Sequence, residues 1–284
     1  MAARYFGAGR PNRRKDAMSG ETTIVVVGEV CTDKFVYGRC ERICPEAPVP
    51  VLNPEREVTN IGMAGNVARN LSSLGVHVSQ FDNGLQRPTK TRYVDEPSGQ
   101  QVLRVDQDDW VPAFGSQLDR LRKDLEWIKP DAIVISDYDK GFLTIDDMRA
   151  ISNLHPLVFL DTKKPLGKWC CDEESFTFVK VNEAEVNKSY KANGFCLESA
   201  PNVICTLGSG GCTYLGRTYS VKKVDVREVS GAGDTFLAAL AAHYCKHRNK
   251  HRAIKFANLC SAYVVTKRGV TSTFPPSIVK KLEK

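Results

Sequence analysis

The sequence predicts an α/β fold, a mainly parallel central sheet with helices on both faces and a small β-sheet lid. Three observations carry this. Short β-branched runs alternate with stretches of helical period from Leu118 onward. Polar residues recur just after each predicted strand, the edge where open α/β sheets bind ligands. The stretch Glu228-Val229-Ser230-Gly231-Ala232-Gly233-Asp234-Thr235-Phe236 turns a glycine-rich loop into an apolar helix. Glycine backbone can aim its N–H groups at an anion, and the positive end of the helix points at the same spot.

The first predicted strand is Thr22 to Gly28, a continuous apolar run that suits a strand buried on both faces. Glu29 and Asp33 follow it, and either grip hydroxyls of a polyol or cap the loop. Prolines 45, 48, 50 and 54 within Tyr37 to Thr59 mark edge strands, so this stretch reads as part of a lid. Thr91 to Val94 and Gln101 to Asp106, joined by the turn Glu96-Pro97-Ser98-Gly99, complete it. The lid is placed at about 35–60 and 89–107. Between its halves, Asn60 to Gly75 opens with small residues and puts Val67, Leu71 and Leu74 on one helix face. Asn66, near the start of that helix, suits a sugar hydroxyl or a cap.

Beyond the lid the alternation is regular. Helices are expected at Leu118 to Ile128, at Ile145 to Leu154 and after Asn182. Strands are expected at Ala132 to Ser136, Leu157 to Leu160, Phe176 to Val181 and Val203 to Thr206. Gly208-Ser209-Gly210-Gly211 is not a P-loop, because no Gly-Lys-Ser/Thr follows. His243, His247 and His251 are four apart, but Arg248-Asn249-Lys250 is expected to break the helix between them. A solvated basic face is the reading there, not a metal site.

Composition narrows the function classes. The chain has 284 residues, 42% of them hydrophobic, and a net charge of +7. Five basic residues against Asp16 give the first 17 residues +4, so the remainder carries only +3. Residues 1–21 read as a basic, disordered leader and 22–284 as one catalytic domain. Aromatics do not interleave with a basic stripe, so no nucleic-acid partner is expected. No long apolar run suggests a membrane span. Ten cysteines at irregular spacing, with no secretory signal, suggest reduced thiols in a cytoplasm.

Three stretches together resemble the ribokinase-like (PfkB) carbohydrate kinases over roughly Ile24 to Phe274. Ser230-Gly231-Ala232-Gly233-Asp234-Thr235 is similar to the family's anion-hole and catalytic-aspartate signature. Gly62-Met63-Ala64-Gly65-Asn66 is similar to its N-terminal glycine-rich signature. Asn182-Glu183-Ala184-Glu185 is similar to the motif that organises magnesium and phosphates. Within the family, a closer resemblance is to the bacterial D-glycero-β-D-manno-heptose 7-phosphate kinases. It runs through Arg42 to Val51 with its Pro-Glu-Ala-Pro-Val-Pro-Val string, through Ser136-Asp137-Tyr138-Asp139-Lys140-Gly141, and through Asp161-Thr162-Lys163. Members of that group often carry a nucleotidyltransferase domain after the kinase, and none is readable here.

The resemblance implies a ribokinase-like three-layer sandwich that moves the γ-phosphate of ATP to the C1 hydroxyl of a phosphorylated heptose. It implies Asp234 as the base and the amides of Gly231, Ala232 and Gly233 as the anion hole. Asn182 and Glu185 would hold water-bound Mg2+. Asn182, Thr206, Gly208, Gly211 and Asn258 would line the nucleotide cleft. Gly62, Asp33 and Asn66 would hold the sugar, with Lys90, Arg92, Arg104 and Lys163 as candidates for its phosphate. A monovalent cation and a homodimer through the lid strands are further implications. The chain departs from the pattern at Glu29, Met63, Glu228 and Ser230. Between Val78 and Thr89 it is short by about one βα unit, on the order of 30 residues. A kinase of another sugar or nucleoside, or a non-catalytic relative, stands beside the heptose reading.

Overall fold

The computed structural model describes residues 21–267, 274–275, 277 and 279–280. The expected basic leader, apart from Glu21, lies outside them.

Among the described residues, twelve strands form two sheets. β1 (Thr23–Gly28), β4 (His77–Phe81), β7 (Ala132–Asp137), β8 (Val158–Thr162), β9 (Phe178–Asn182), β10 (Val203–Thr206), β11 (Cys212–Tyr214) and β12 (Arg217–Tyr219) make the larger one. Its order is β12-β11-β10-β9-β8-β7-β1-β4, parallel from β10 to β4, with an antiparallel hairpin at the other edge. The smaller sheet is β3-β2-β5-β6, built from β2 (Val30–Ile43), β3 (Pro50–Met63), β5 (Thr89–Asp95) and β6 (Gln100–Gln107).

The apolar run of β1 is continuous because both faces are covered. Ile24 and Val26 join one buried cluster, and Val25 and Val27 join the other. The first cluster packs under α1 (Ala64–Ser73), α5 (Ala232–His247) and α6 (Lys250–Val264). The second packs under α2 (Leu118–Ile128) and α3 (Ile145–Ser152). α4 (Glu183–Asn193) leaves the end of β9 directly. α5 is buried from Asp234 to His243, nearly three turns, so it is the central helix of its layer.

The lid is longer than expected. Its first half begins at Val30 rather than near residue 35 and ends at Met63 rather than near residue 60. Val30, Cys31, Met63 and Ala64 are buried beneath it, so the lid grows out of the core instead of standing apart. After β4 the chain passes through residues 82–88 straight into β5, with no helix between. This agrees with the expected shortening and leaves β4 as an edge of the main sheet. The break expected at Arg248 to Lys250 is present. Arg248 is left-handed at φ 51°, and the Asn249 side chain accepts from Arg252 N–H to start α6. His251 therefore lies on a different helix from His243 and His247, and it bonds Tyr219.

Candidate active site

The carboxyl ends of β1, β7, β8, β9 and β10 converge on the start of α5, as the crevice rule for open sheets requires. Gly231 precedes that helix at φ 82°, a left-handed conformation that suits glycine. Asp234 sits in the first turn and is 6% exposed. Both its oxygens are engaged. Asn66 Nδ2 donates to Oδ2 at 2.8 Å, and the Tyr138 hydroxyl donates to Oδ1 at 2.5 Å. Burial raises the carboxyl above its ordinary value. The Asn66 and Tyr138 hydrogen bonds oppose that rise, Asp161 adds to it, and the Lys180 ammonium opposes it.

Asn66 was expected to face a sugar. It instead donates to Asp234, from the first turn of α1. Asp33 is engaged as well. Its Oδ1 accepts from Arg92 at 2.6 Å in a buried ion pair, so Arg92 supports Asp33 rather than standing free for a phosphate. Asp33 Oδ2 lies where a Cβ on Gly62 would be, 2.1 Å away, which is why that position needs glycine. Lys90, on the adjacent strand, is 7% exposed, with its Nζ 5.4 Å from the centre of the Tyr138 ring. Among the described residues no carboxylate pairs with it. Arg104 faces Arg92 in register and closes a two-bond pair with Asp106, both bonds at 2.7 Å. Glu29, read as a hydroxyl or loop ligand, does the second job. Its carboxylate accepts from Tyr138 N–H at 2.8 Å and Lys140 N–H at 3.1 Å.

Asn182 and Glu185 meet in a capping box at the start of α4. Glu185 N–H donates to Asn182 Oδ1 at 3.0 Å, and Asn182 N–H donates to Glu185 Oε2 at 2.9 Å. Glu185 Oε1 accepts from Lys163, which also pairs with Asp161 at 3.4 Å. Lys163 was a candidate for the sugar's phosphate, and it is committed to these two carboxylates instead. Asp161 holds a second cation, Lys180 Nζ, at 2.6 Å, with both side chains 4% exposed. Although burial works to raise Asp161, the ammonium groups of Lys180 and Lys163 hold it below the ordinary carboxylate range. Lys180 reaches the glycine loop: a Cβ on Gly233 would lie 2.8 Å from its Nζ.

Beside this lies a cleft of about 860 Å3, the size of a small-molecule site. Asn182, Thr206, Gly208, Gly211 and Asn258, the five residues expected at a nucleotide, all line it together with Ala232, Gly233 and Lys180. The Thr206 hydroxyl donates to Val181 O at 3.1 Å, and Asn258 Nδ2 donates to Tyr219 O at 2.8 Å. These two side chains therefore also join the cleft walls to each other. Gly211, at φ 90°, presses against the Tyr219 carbonyl, where any Cβ would clash at 2.0 Å. Val221, Val224, Val226 and Val229 supply an apolar wall with Lys222 and Lys223 between them. The loop where the resemblance implies a monovalent cation is closed on itself, since Ser230 N–H donates to the Glu228 carboxylate at 2.9 Å.

Sequence reasoning missed Lys180 and Tyr138. A lysine inside the buried run Phe176-Thr177-Phe178-Val179-Lys180-Val181 was a readable signal, because a core strand hides a cation only beside a partner. Nothing local in the sequence marks Tyr138 as the partner of a carboxylate 96 positions away.

Residues 157–277 match the model of the pfkB family carbohydrate kinases. The bifunctional protein HldE of Caulobacter sp. (strain K31) is 32% identical over 306 residues, covering 89% of this chain and 61% of that protein. HldE of a Nitratiruptor species is 30% identical over 298 residues, covering 88% and 62%. The chain carries a pfkB family carbohydrate kinase domain. Members of that family are carbohydrate kinases. The chain spans about three fifths of the length of these curated relatives. The fold agrees. Arabidopsis thaliana ribokinase complexed with ribose and ATP superposes with TM-score 0.64 at 18% identity, covering 93% of this chain and 99% of that one. Escherichia coli phosphofructokinase-2 in complex with potassium gives 0.69 at 15% identity, covering 93% and 98%. Among the described residues no helix is long and apolar enough to cross a membrane.

Proposed function

We propose that the protein transfers the γ-phosphoryl group of ATP to the C1 hydroxyl of D-glycero-β-D-manno-heptose 7-phosphate, giving the 1,7-bisphosphate. One observation carries the reading. Asp234 is buried at a glycine-loop helix start, with the 860 Å3 cleft against the loop and Asp33 and Lys90 on the lid strands beside its Tyr138 partner. The acceptor hydroxyl gives its proton to Asp234 as its oxygen bonds the γ-phosphorus. The bond from that phosphorus to the β-γ bridging oxygen breaks, and ADP leaves. The amides of Gly231, Ala232 and Gly233, with the Lys180 ammonium beside them, face the charge that develops on the phosphoryl oxygens. Asp33 accepts from the sugar, over Gly62. Lys90, the buried cation with no carboxylate partner among the described residues, takes the sugar's own phosphate.

Asn182 and Glu185 fit Mg2+ held through water and ATP phosphates. Asn182 lines the cleft, and among the described residues no group of three acidic or soft side chains forms a cage. Mg2+ would neutralise β- and γ-phosphate charge.

The heptose choice is supported by the Pro-Glu-Ala-Pro-Val-Pro-Val string and by the likeness to the HldE proteins. One observation favours a second reading, a kinase of another sugar or nucleoside. Met63 occupies a signature glycine position at φ 55°, buried, in a conformation a side chain rarely adopts. A coupled ADP-release assay over phosphorylated and free sugars separates these. Turnover confined to heptose 7-phosphate is expected. Turnover with free sugars selects the second reading, and none with any acceptor removes both.

The same proposal extends to a homodimer through the lid. Ile43, Val49, Val58, Ile61 and Leu103 are exposed on it, and β3 and β6 are its edges. A monomeric mass in light scattering at assay concentration would remove the dimer.

A further inference from the structure

We propose that Tyr138 is a positioning residue for Asp234: its phenolic hydrogen bond favours the charged form of the buried carboxylate and fixes it in one orientation. The inference rests on Asp234 as the base of the proposed kinase, but its geometry stands by itself. The phenol donates to Oδ1 at 2.5 Å while Asn66 donates to Oδ2 at 2.8 Å, so the carboxylate is held from both sides. A carboxylate gripped by two donors keeps a single orientation, and each bond favours its charged form.

The phenol is itself held in place. Its loop leaves the end of β7, where Glu29 accepts from the N–H groups of Tyr138 and Lys140. The intervening Asp139 is left-handed at φ 57°, and its carboxylate pairs with Lys164 at 2.8 Å. Two ammonium groups approach the ring, Lys90 Nζ at 5.4 Å and Lys163 Nζ at 5.5 Å from its centre. Burial and the Asp234 charge push the phenol well above its ordinary value, so it stays protonated and acts as a donor.

The neighbours do not do the same work. Lys180, from β9, favours the Asp234 charge from a distance, and Asp161, from β8, opposes it. Lys163 is committed to Asp161 and Glu185. Cys31, from β2, is pushed up to about 12 by burial and by Asp33, so it is neutral and supplies no charge. Only Asn66 and Tyr138 among the described side chains donate to the carboxylate, and Tyr138 is the one that a single-atom change removes while keeping the ring.

The test compares the wild-type chain with Tyr138→Phe. Aspartate is labelled with 13C at the carboxyl carbon, and the Asp234 resonance is identified by its loss in Asp234→Asn. A hydrogen bond to a charged group is worth about 1.5–3 kcal/mol, so the Asp234 titration midpoint is expected to rise by roughly one to two pH units in Tyr138→Phe. The acid limb of kcat/KM should move by the same amount, with kcat on the alkaline plateau changing far less. A ring that only fills space would move neither, and an unmoved midpoint overturns the proposal. If the wild-type chain turns over no sugar, the kinase reading fails, and the carboxyl titration still decides the role of Tyr138.

Discussion

Asp234→Asn is expected to lower kcat by about 10²–10⁴-fold, the usual contribution of a positioned general base, and to leave ATP affinity close to wild type. The physical reason is local. Asparagine keeps the size of the side chain and can still accept from Asn66 or Tyr138 at its one oxygen, but its other terminus is an NH2 that cannot take a proton. The cleft residues Asn182, Thr206, Gly208, Gly211 and Asn258 are untouched, so nucleotide binding should survive. The substitution also removes a buried charge, which relieves the burial that raises this carboxyl. Thermal stability should therefore hold or rise slightly while turnover collapses. Single-turnover phosphoryl transfer, nucleotide titration and a melting curve on one preparation check all three. Turnover within a few-fold of wild type would sink the assignment of the base.

Much of the fold was readable because the main sheet is buried on both faces. Val203 to Thr206 and Leu118 to Ile128 appear at the expected boundaries, since apolar runs end there at polar loops. β4 was not seen. As an edge strand its sequence His77-Val78-Ser79-Gln80-Phe81 is half polar and half exposed, so no continuous run marks it. The β11–β12 hairpin escaped for another reason. Its strands have three residues each, and its turn is Leu215-Gly216 at φ 50° and 69°, lacking the Asn or Asp that usually announces such a turn. The lid began five residues early because Val-Cys-Thr-Asp-Lys-Phe mixes both residue classes while its buried members face the core.

The site was legible as residue types and much less so as pairs. The five cleft residues follow from the family resemblance; Asn182, Thr206, Gly208 and Gly211 lie at or just after strand ends, whereas Asn258 reaches the same cleft from within α6. Asn66 and Asp234 are 168 positions apart, and no spacing could reveal that one would donate to the other. Likewise Arg92 and Lys163 look like free cations in a sequence. Folding gives each a carboxylate, Asp33 for one and Asp161 with Glu185 for the other, and leaves Lys90 buried with no carboxylate partner among the described residues.

Lys180→Met is expected to lower kcat by about 10²–10³-fold, the loss typical when a charge-stabilising donor is removed from a developing anion. Its Nζ lies against Gly233, inside the loop whose amides are proposed to face the phosphoryl group. The same change has a structural effect. Asp161, 4% exposed, loses its nearer cation at 2.6 Å and keeps only Lys163 at 3.4 Å. Breaking a buried pair on one side costs about 3–5 kcal/mol. That stability has a defined pH dependence. Asp161 is depressed in the folded chain, so the pair stabilises fully above the ordinary carboxyl value of 3.8 and loses its effect as pH falls through the depressed value. Lys180→Met should therefore be most destabilised near neutral pH, and the gap to wild type should close in acid. The double variant Lys180→Met/Asp161→Asn removes the stranded charge and is expected to recover most of the stability but none of the turnover. Recovery of kcat together with stability would mean that Lys180 only supports Asp161. Full turnover in the single variant would remove it from the phosphoryl site altogether.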